Sequence, residues 1–270
     1  MTVIVFLTLV CCKPSNTIIL LLQKKIREMV FEPTSIVIAN IRIDEPVTVL
    51  TDLLVSGVCF YAYFKLRAIS EKIKLHYYLK LYFLTMGIAT LLGGVIGHGF
   101  LYFFNEITNT SLPVSPWKLP GWYVSMFSIA MLERAVIERS KILVPKRVGW
   151  FFSRLNIVEL LTFMIITGFS LNFFFVEVHS AYGLLIVTSS FSFLIYTKTR
   201  HSGSKRFLLA VGLSAISALV FMNQWGFDKW FNHFDISHTI MALGAWFFYR
   251  GARYMVLHPI ESEPVEDSLI

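Results

Sequence analysis

What most limits the folds open to this chain is a succession of apolar runs, each near twenty residues long and separated by short polar loops. About twenty apolar residues are what a helix needs to cross the hydrocarbon of a bilayer. Seven stretches fit or approach that length: 47–66, 78–104, 121–137, 156–175, 178–196, 207–225 and 236–255. Inside hydrocarbon a backbone N–H or C=O finds no water, so such a run satisfies its own polar groups by becoming a helix. The expected fold is therefore all-α: a polytopic membrane protein whose seven-transmembrane-helix bundle occupies residues 47–255. Only 15% of the residues are charged, against about 25% in soluble domains, which argues against a water-soluble enzyme. The formal charge of +7 is no nucleic-acid footprint, because the basic residues sit in short loops between apolar runs.

Those loops set an orientation. Lys65, Arg67, Lys72 and Lys74 lie between the first two runs, and Arg139, Lys141, Lys146, Arg147 and Arg154 lie between the third and fourth. Lys198, Arg200, Lys205 and Arg206 follow the fifth, and Arg250 and Arg253 close the seventh, whereas the alternate loops hold only Lys118 and Lys229. Cytoplasmic loops collect Lys and Arg, so the pattern implies an N-out/C-in, multi-pass integral membrane protein, in the plasma (inner) membrane if the source is bacterial. Trp117, Trp122, Trp225 and Trp230 then mark the outer interface and Trp150 the inner one. Residues 1–46 form an N-terminal segment read as an interfacial helix, with Met29 the expected start of organised sequence. Residues 256–270 form an acidic cytoplasmic tail expected to be disordered. Cys11, Cys12 and Cys59 have no metal or disulfide spacing.

With that orientation, ionisable groups from several runs reach one depth beneath the outer surface. Asp52 is about one and a half turns into the first run, His98 is near the outer end of the second, and Glu177 and His179 open the fifth. His233, Asp235 and His238 open the seventh. Ionisable groups in a membrane span are costly and are functional candidates by default. Asp235 and His238, three apart, share a helix face. Imidazoles and carboxylates together make metal sites, zinc above all, and an open position on the ion makes such a site hydrolytic. The candidate ligands are His98, His238 and Asp235, with Asp52 and Asp235 as candidate catalytic acids or bases. The glycines around His98 (Gly93, Gly94, Gly97 and Gly99) read first as close helix packing. Glu133 and Glu159 are expected near the inner side, Glu133 paired with Arg134. His179 is expected at the interface, and Asp44, Glu45, His76, His201 and His258 in solvated segments.

Seven spans, a histidine on the second and a histidine-bearing last span (ISHTIMALGAWFFYRG, 236–251) resemble the alkaline ceramidase, progestin/adipoQ receptor and Per1-like superfamily of membrane hydrolases. Glu45-Pro46 followed by Asp52 is similar to the acidic entry of ceramidases. The resemblance implies zinc and a hydrolase of lipid amide or ester bonds, with membrane lipids as partners. The chain departs from the family pattern at three places: His233 and His238 are five apart instead of four, Gly94 stands where the family has a serine, and the aspartate expected beyond the second-span histidine is not evident, with Glu106 and Asn109 the nearest polar residues. Two other readings fit the same residues. One is a transporter or receptor binding a proton, cation or small ligand at the outer polar cluster, and the other is a structural subunit in which that cluster joins helices.

Overall fold

The computed structural model describes residues 34–70, 73–109 and 114–260. The expectations for an interfacial N-terminal helix, for Met29, Cys11 and Cys12, and for most of the acidic tail fall outside the described residues. A feature missing from the sequence reading comes first: an antiparallel hairpin of β1 (Ser35–Ile38) and β2 (Ile41–Asp44). Its two-residue turn, Ala39-Asn40, has positive φ at both positions, the backbone whose twist matches that of the flanking strands.

The rest is helical. Pro46 supplies the first turn of α1 (Pro46–Arg67), where its missing N–H has no partner to lose. The chain returns as α2 (Lys74–Leu92) and continues without a break as a π-helical segment, Gly93–Gly99, before a bend at Phe100 and a short α3 (Leu101–Ile107). After a 3-10 turn (Pro116–Lys118) come α4 (Leu119–Ser140) and α5 (Lys146–Ser170). Next is a composite helix: α6 (Phe174–Ala181), a second π-helical segment (Tyr182–Thr188) and α7 (Ser189–Thr199). The last two are α8 (Ser202–Met222) and α9 (His233–Leu257).

Five of these helices are long and apolar enough to cross a membrane: α1, α2 with its π segment, α5, the composite α6–α7 helix and α8. This is an integral, multi-pass membrane protein. Helices α4 and α9, at 22 and 25 residues, have comparable length but carry more polar side chains. The helices begin and end within a few residues of the expected runs, with one large exception. Helix α5 starts at Lys146, ten residues before the expected 156, because Lys146, Arg147 and Arg154 lie on helix instead of loop. The Arg154 guanidinium stacks over the Trp150 ring at 4.9 Å, which keeps a basic first turn and an interfacial indole on one helix.

All the helices belong to one compact unit that begins at Ser35. Helix α1 packs against α2 and α9, α2 against α4, α8 against α9, and α4 against α5 and the composite helix. Small residues set the close approaches. Gly87 of α2 leaves room for the Phe60 ring, and the Ser56 hydroxyl donates to the Gly87 carbonyl at 2.8 Å. At one end of the bundle, Arg139 donates to the carbonyls of Met255 (3.3 Å) and His258 (2.9 Å), so the last carbonyls of α9 are satisfied by a buried guanidinium. His76 is also buried, its Nε2 donating to the Leu66 carbonyl at 2.8 Å; it joins α2 to the end of α1 instead of facing solvent.

Candidate functional site

Three of the expected site residues come together where α1, the first π segment and α9 meet. On α1, Asp52 faces inward and is only 4% exposed. Its Oδ1 lies 3.4 Å from His238 Nδ1, and its Oδ2 lies 4.0 Å from His98 Nε2. The two imidazole rings are 6.3 Å apart between centroids, and the Phe234 ring stands edge-on to His98 at 5.4 Å. The Thr51 hydroxyl is a further neighbour of His238 Nδ1, at 3.4 Å.

A residue read as solvated completes the group. Glu45 Oε2 is 2.5 Å from His98 Nδ1. Burial on its own would raise the Glu45 carboxyl, but the hydrogen bond and charge of His98 outweigh it and hold the group below the usual carboxylate range. Facing an ionised carboxylate, Nδ1 is the donor, and Nε2 is the nitrogen turned toward Asp52. Glu45 takes this position with φ at 45°, a left-handed backbone just ahead of Pro46. Non-glycine residues held there cost of order 1–3 kcal/mol and cluster at functional sites. Asp44, by contrast, turns back along the hairpin and accepts from Arg42 at 2.6 Å.

The π segment carries His98 to this meeting point. A wide π turn inside an α-helix is uncommon and is often found at functional sites. Gly94 makes the approach possible: a Cβ there would stand 2.8 Å from the Asp52 Cβ. One carboxylate atom, Asp52 Oδ2, is buried with no hydrogen-bond partner, and a buried polar atom left this way is destabilising unless something binds it.

Asp235 and His233 sit differently. Asp235 is fully buried, and its carboxylate has two structural partners. Oδ1 accepts from the Thr48 hydroxyl at 2.8 Å, and Oδ2 accepts from the backbone N–H of Asn232 at 2.7 Å in a capping box that starts α9. The His233 ring lies against Phe221 and Phe234, at 5.7 and 4.4 Å.

A second group lies where α4, α5 and α6 meet, and it was not anticipated as a site. Glu133, Glu159 and His179 are all buried, and they offer ligand atoms within 4.8 Å of one another; the group could hold a metal ion. His179 is not interfacial: its Nδ1 is 2.5 Å from Glu159 Oε1 and its Nε2 donates to the Met126 carbonyl at 2.9 Å. Glu133 is not bonded to Arg134, whose guanidinium goes to the Ser153 carbonyl; it accepts instead from the Asn156 amide at 3.2 Å. The place of Glu159 in this group follows from the early start of α5, which puts it about 20 Å along that helix instead of at its edge.

Residues 47–256 match the model of a family described as a family of unknown function, DUF6962. That stretch takes in both groups apart from Glu45. No curated protein and no solved structure matches the chain.

Proposed function

The chain belongs to DUF6962, a family whose description assigns no activity, and from the site itself we propose that it is a zinc-dependent membrane hydrolase acting on an amide or ester bond of a lipid. The observation that carries the reading is the order Glu45–His98–Asp52–His238. Metal-bound histidines nearly always donate their second ring N–H to a carboxylate or carbonyl, which fixes the tautomer and turns the ligating nitrogen toward the ion. His98 already has that arrangement, and Asp52 Oδ2 is the buried atom without a partner. Ligands about 2.0–2.1 Å from a tetrahedral ion stand roughly 3.4 Å apart, and Asp52 Oδ1 is 3.4 Å from His238 Nδ1. The donor types therefore suit zinc, with His98 and His238 as the nitrogen ligands and Asp52 as oxygen ligand or neighbouring base; the rings, 6.3 Å apart between centroids, would have to draw in around Asp52 to share one ion.

Zinc bound there would supply Lewis-acid chemistry, making water acidic enough to act as a nucleophile near neutral pH. The chain's own groups do the rest. Glu45 keeps the proton on His98 Nδ1. Asp52, the carboxylate with an oxygen free, takes the proton that the attacking water releases. Asp235, engaged by Thr48 and the Asn232 N–H, holds the start of α9 and so sets where His238 stands. A lipid substrate is supported by an apolar groove of about 480 Å³ on the same two helices, α1 and α9, lined by Leu53, Leu54, Gly57, Val58, Tyr61 and Trp246. We read α4 and α9 as completing seven crossings, with the start of α1 outside, as the distribution of Lys and Arg implies. The resemblance to the ceramidase superfamily points the same way.

The test is zinc content and hydrolysis of a fluorescent long-chain ceramide and a matched lipid ester by the full chain purified in detergent. The expected result is bound zinc and chelator-sensitive hydrolysis, with the hydrolysis and one equivalent of the zinc lost in His98→Ala and in His238→Ala. Hydrolysis that survives either substitution, or wild-type protein without zinc, rejects the proposal. The unpartnered Asp52 oxygen also favours a second reading, a proton or cation site of a transporter or receptor. Zinc-free protein in which Asp52→Asn alone abolishes ligand or proton binding would select it.

A further inference from the structure

We infer that Glu133, Glu159 and His179 form a second ion site, separate from the one above, which takes a divalent first-row transition metal of the manganese or zinc kind. The inference does not depend on the hydrolase reading, since the two groups share no residue and lie on different helices.

Two carboxylate oxygens in this group are left unpaired. Glu133 is 0% exposed and its Oε1 has no hydrogen-bond partner; Glu159 Oε2 is likewise buried and unpartnered. Among the described residues no Lys or Arg forms an ion pair with either carboxylate, and the one cationic candidate in contact is His179 itself. Two carboxylates side by side in an apolar bundle repel each other and are poorly solvated, so they call for a proton or a cation between them.

The surrounding groups prepare the set for an ion. Asn156 donates to Glu133 Oε2 and holds that carboxylate, leaving Oε1 free. His179 donates Nε2–H to the Met126 carbonyl, the bond by which proteins orient a ligating histidine, and this leaves Nδ1 turned toward Glu159. The second π-helical segment supplies the space. A Cβ at Gly183 would lie 2.5 Å from Glu133 Oε1, so the unpartnered oxygen occupies room that only glycine leaves.

One imidazole with two carboxylates discriminates between ions. Calcium takes six to eight oxygens and magnesium prefers oxygen ligands and water, whereas nitrogen with oxygen suits manganese, iron and zinc. A site this buried is expected to be structural or to be filled through the bundle.

The test uses the full chain in detergent, with the first site removed by His98→Ala and His238→Ala. Manganese and zinc are each titrated into this parent and into the same protein carrying Glu133→Gln or Glu159→Gln. The parent is expected to bind one equivalent, and each added substitution to weaken binding at least tenfold. In case the glutamine variants do not fold, electron-spin-echo spectroscopy of manganese on the parent gives an independent readout, with coupling to a single imidazole nitrogen expected. Unchanged affinity in the folded glutamine variants, no bound metal in the parent, or bound manganese without nitrogen coupling would each overturn the inference and leave His179–Glu159 as a structural ion pair.

Discussion

Gly94 to alanine is the substitution whose outcome can be worked out most fully. The added Cβ would stand 2.8 Å from the Asp52 Cβ and 3.4 Å from the Val49 carbonyl oxygen. Carbon atoms rest about 3.5–4.0 Å apart, so α1 and the π segment must separate by about 1 Å. Overpacking of this kind costs about 1–3 kcal/mol. Replacing glycine by alanine within a helix returns roughly 0.5–1 kcal/mol through backbone entropy, so a net loss of about 0–2.5 kcal/mol is expected. The same movement takes Asp52 away from His98, starting from 4.0 Å, so zinc retention should fall more than stability does. Gly57 is the control: it lies on α1 and has nothing within 4 Å of its Cβ position. Thermal unfolding in detergent and zinc content, measured on both variants, decide the matter. Gly57→Ala should match or exceed wild type on both counts. If Gly94→Ala behaves like Gly57→Ala, the close approach of Asp52 to the π segment does not govern the site.

Other outcomes follow from single residues. Glu45 has its folded-state carboxyl held below the usual 4.5, so its contribution is present above that value and is lost as pH falls through the lower folded value; acid unfolding of wild type should show this loss and that of Glu45→Gln should not. Asp235→Ala removes the N3 half of the capping box that Asn232 opens, a loss on the order of the 0.5–2 kcal/mol of a helix cap, and strands the Thr48 hydroxyl, so the unfolding midpoint should drop; a cap in place of a ligand predicts that the bound-zinc stoichiometry of the folded protein stays the same. Arg139→Lys cannot reproduce a guanidinium that reaches two carbonyls and lies 2.9 Å from His201 Nε2, so limited proteolysis should cut the end of α9 faster than in wild type.

How much of this was legible in the sequence varies by residue. The run from Pro46 to Arg67 could be placed within a residue, because its apolar length is set by the bilayer and its end by Lys65 and Arg67. The start of α5 could not, because Lys146, Arg147 and Arg154 look like loop when hydropathy alone is read, and that error carried Glu159 to the membrane edge. The hairpin was missed because two four-residue strands are too short to show a dependable alternation. Within the site, Asp52, His98 and His238 could be brought together by depth alone, since orientation fixes how far down each span a residue lies. Depth does not fix direction around a helix, so it does not separate Asp235 as a ligand from Asp235 as a cap; its place at the mouth of the last run suits a cap, and the structure shows the capping box with Asn232. Glu45 reads as solvated because it precedes the apolar run, although Glu45-Pro46 is the piece similar to a ceramidase entry and Pro46 marks the first turn of a helix. The Glu133, Glu159 and His179 group has no sequence signature at all; three helices bring it together.

X-ray absorption at the zinc edge, on full-length protein carrying Glu133→Gln and Glu159→Gln so that only the first site is read, tests the central claim most directly. Zinc with two imidazole nitrogens and an oxygen ligand at about 2.0–2.1 Å is expected, with loss of that shell in His98→Ala. Protein that holds no zinc, or a shell that keeps both imidazoles after His98→Ala, would contradict it.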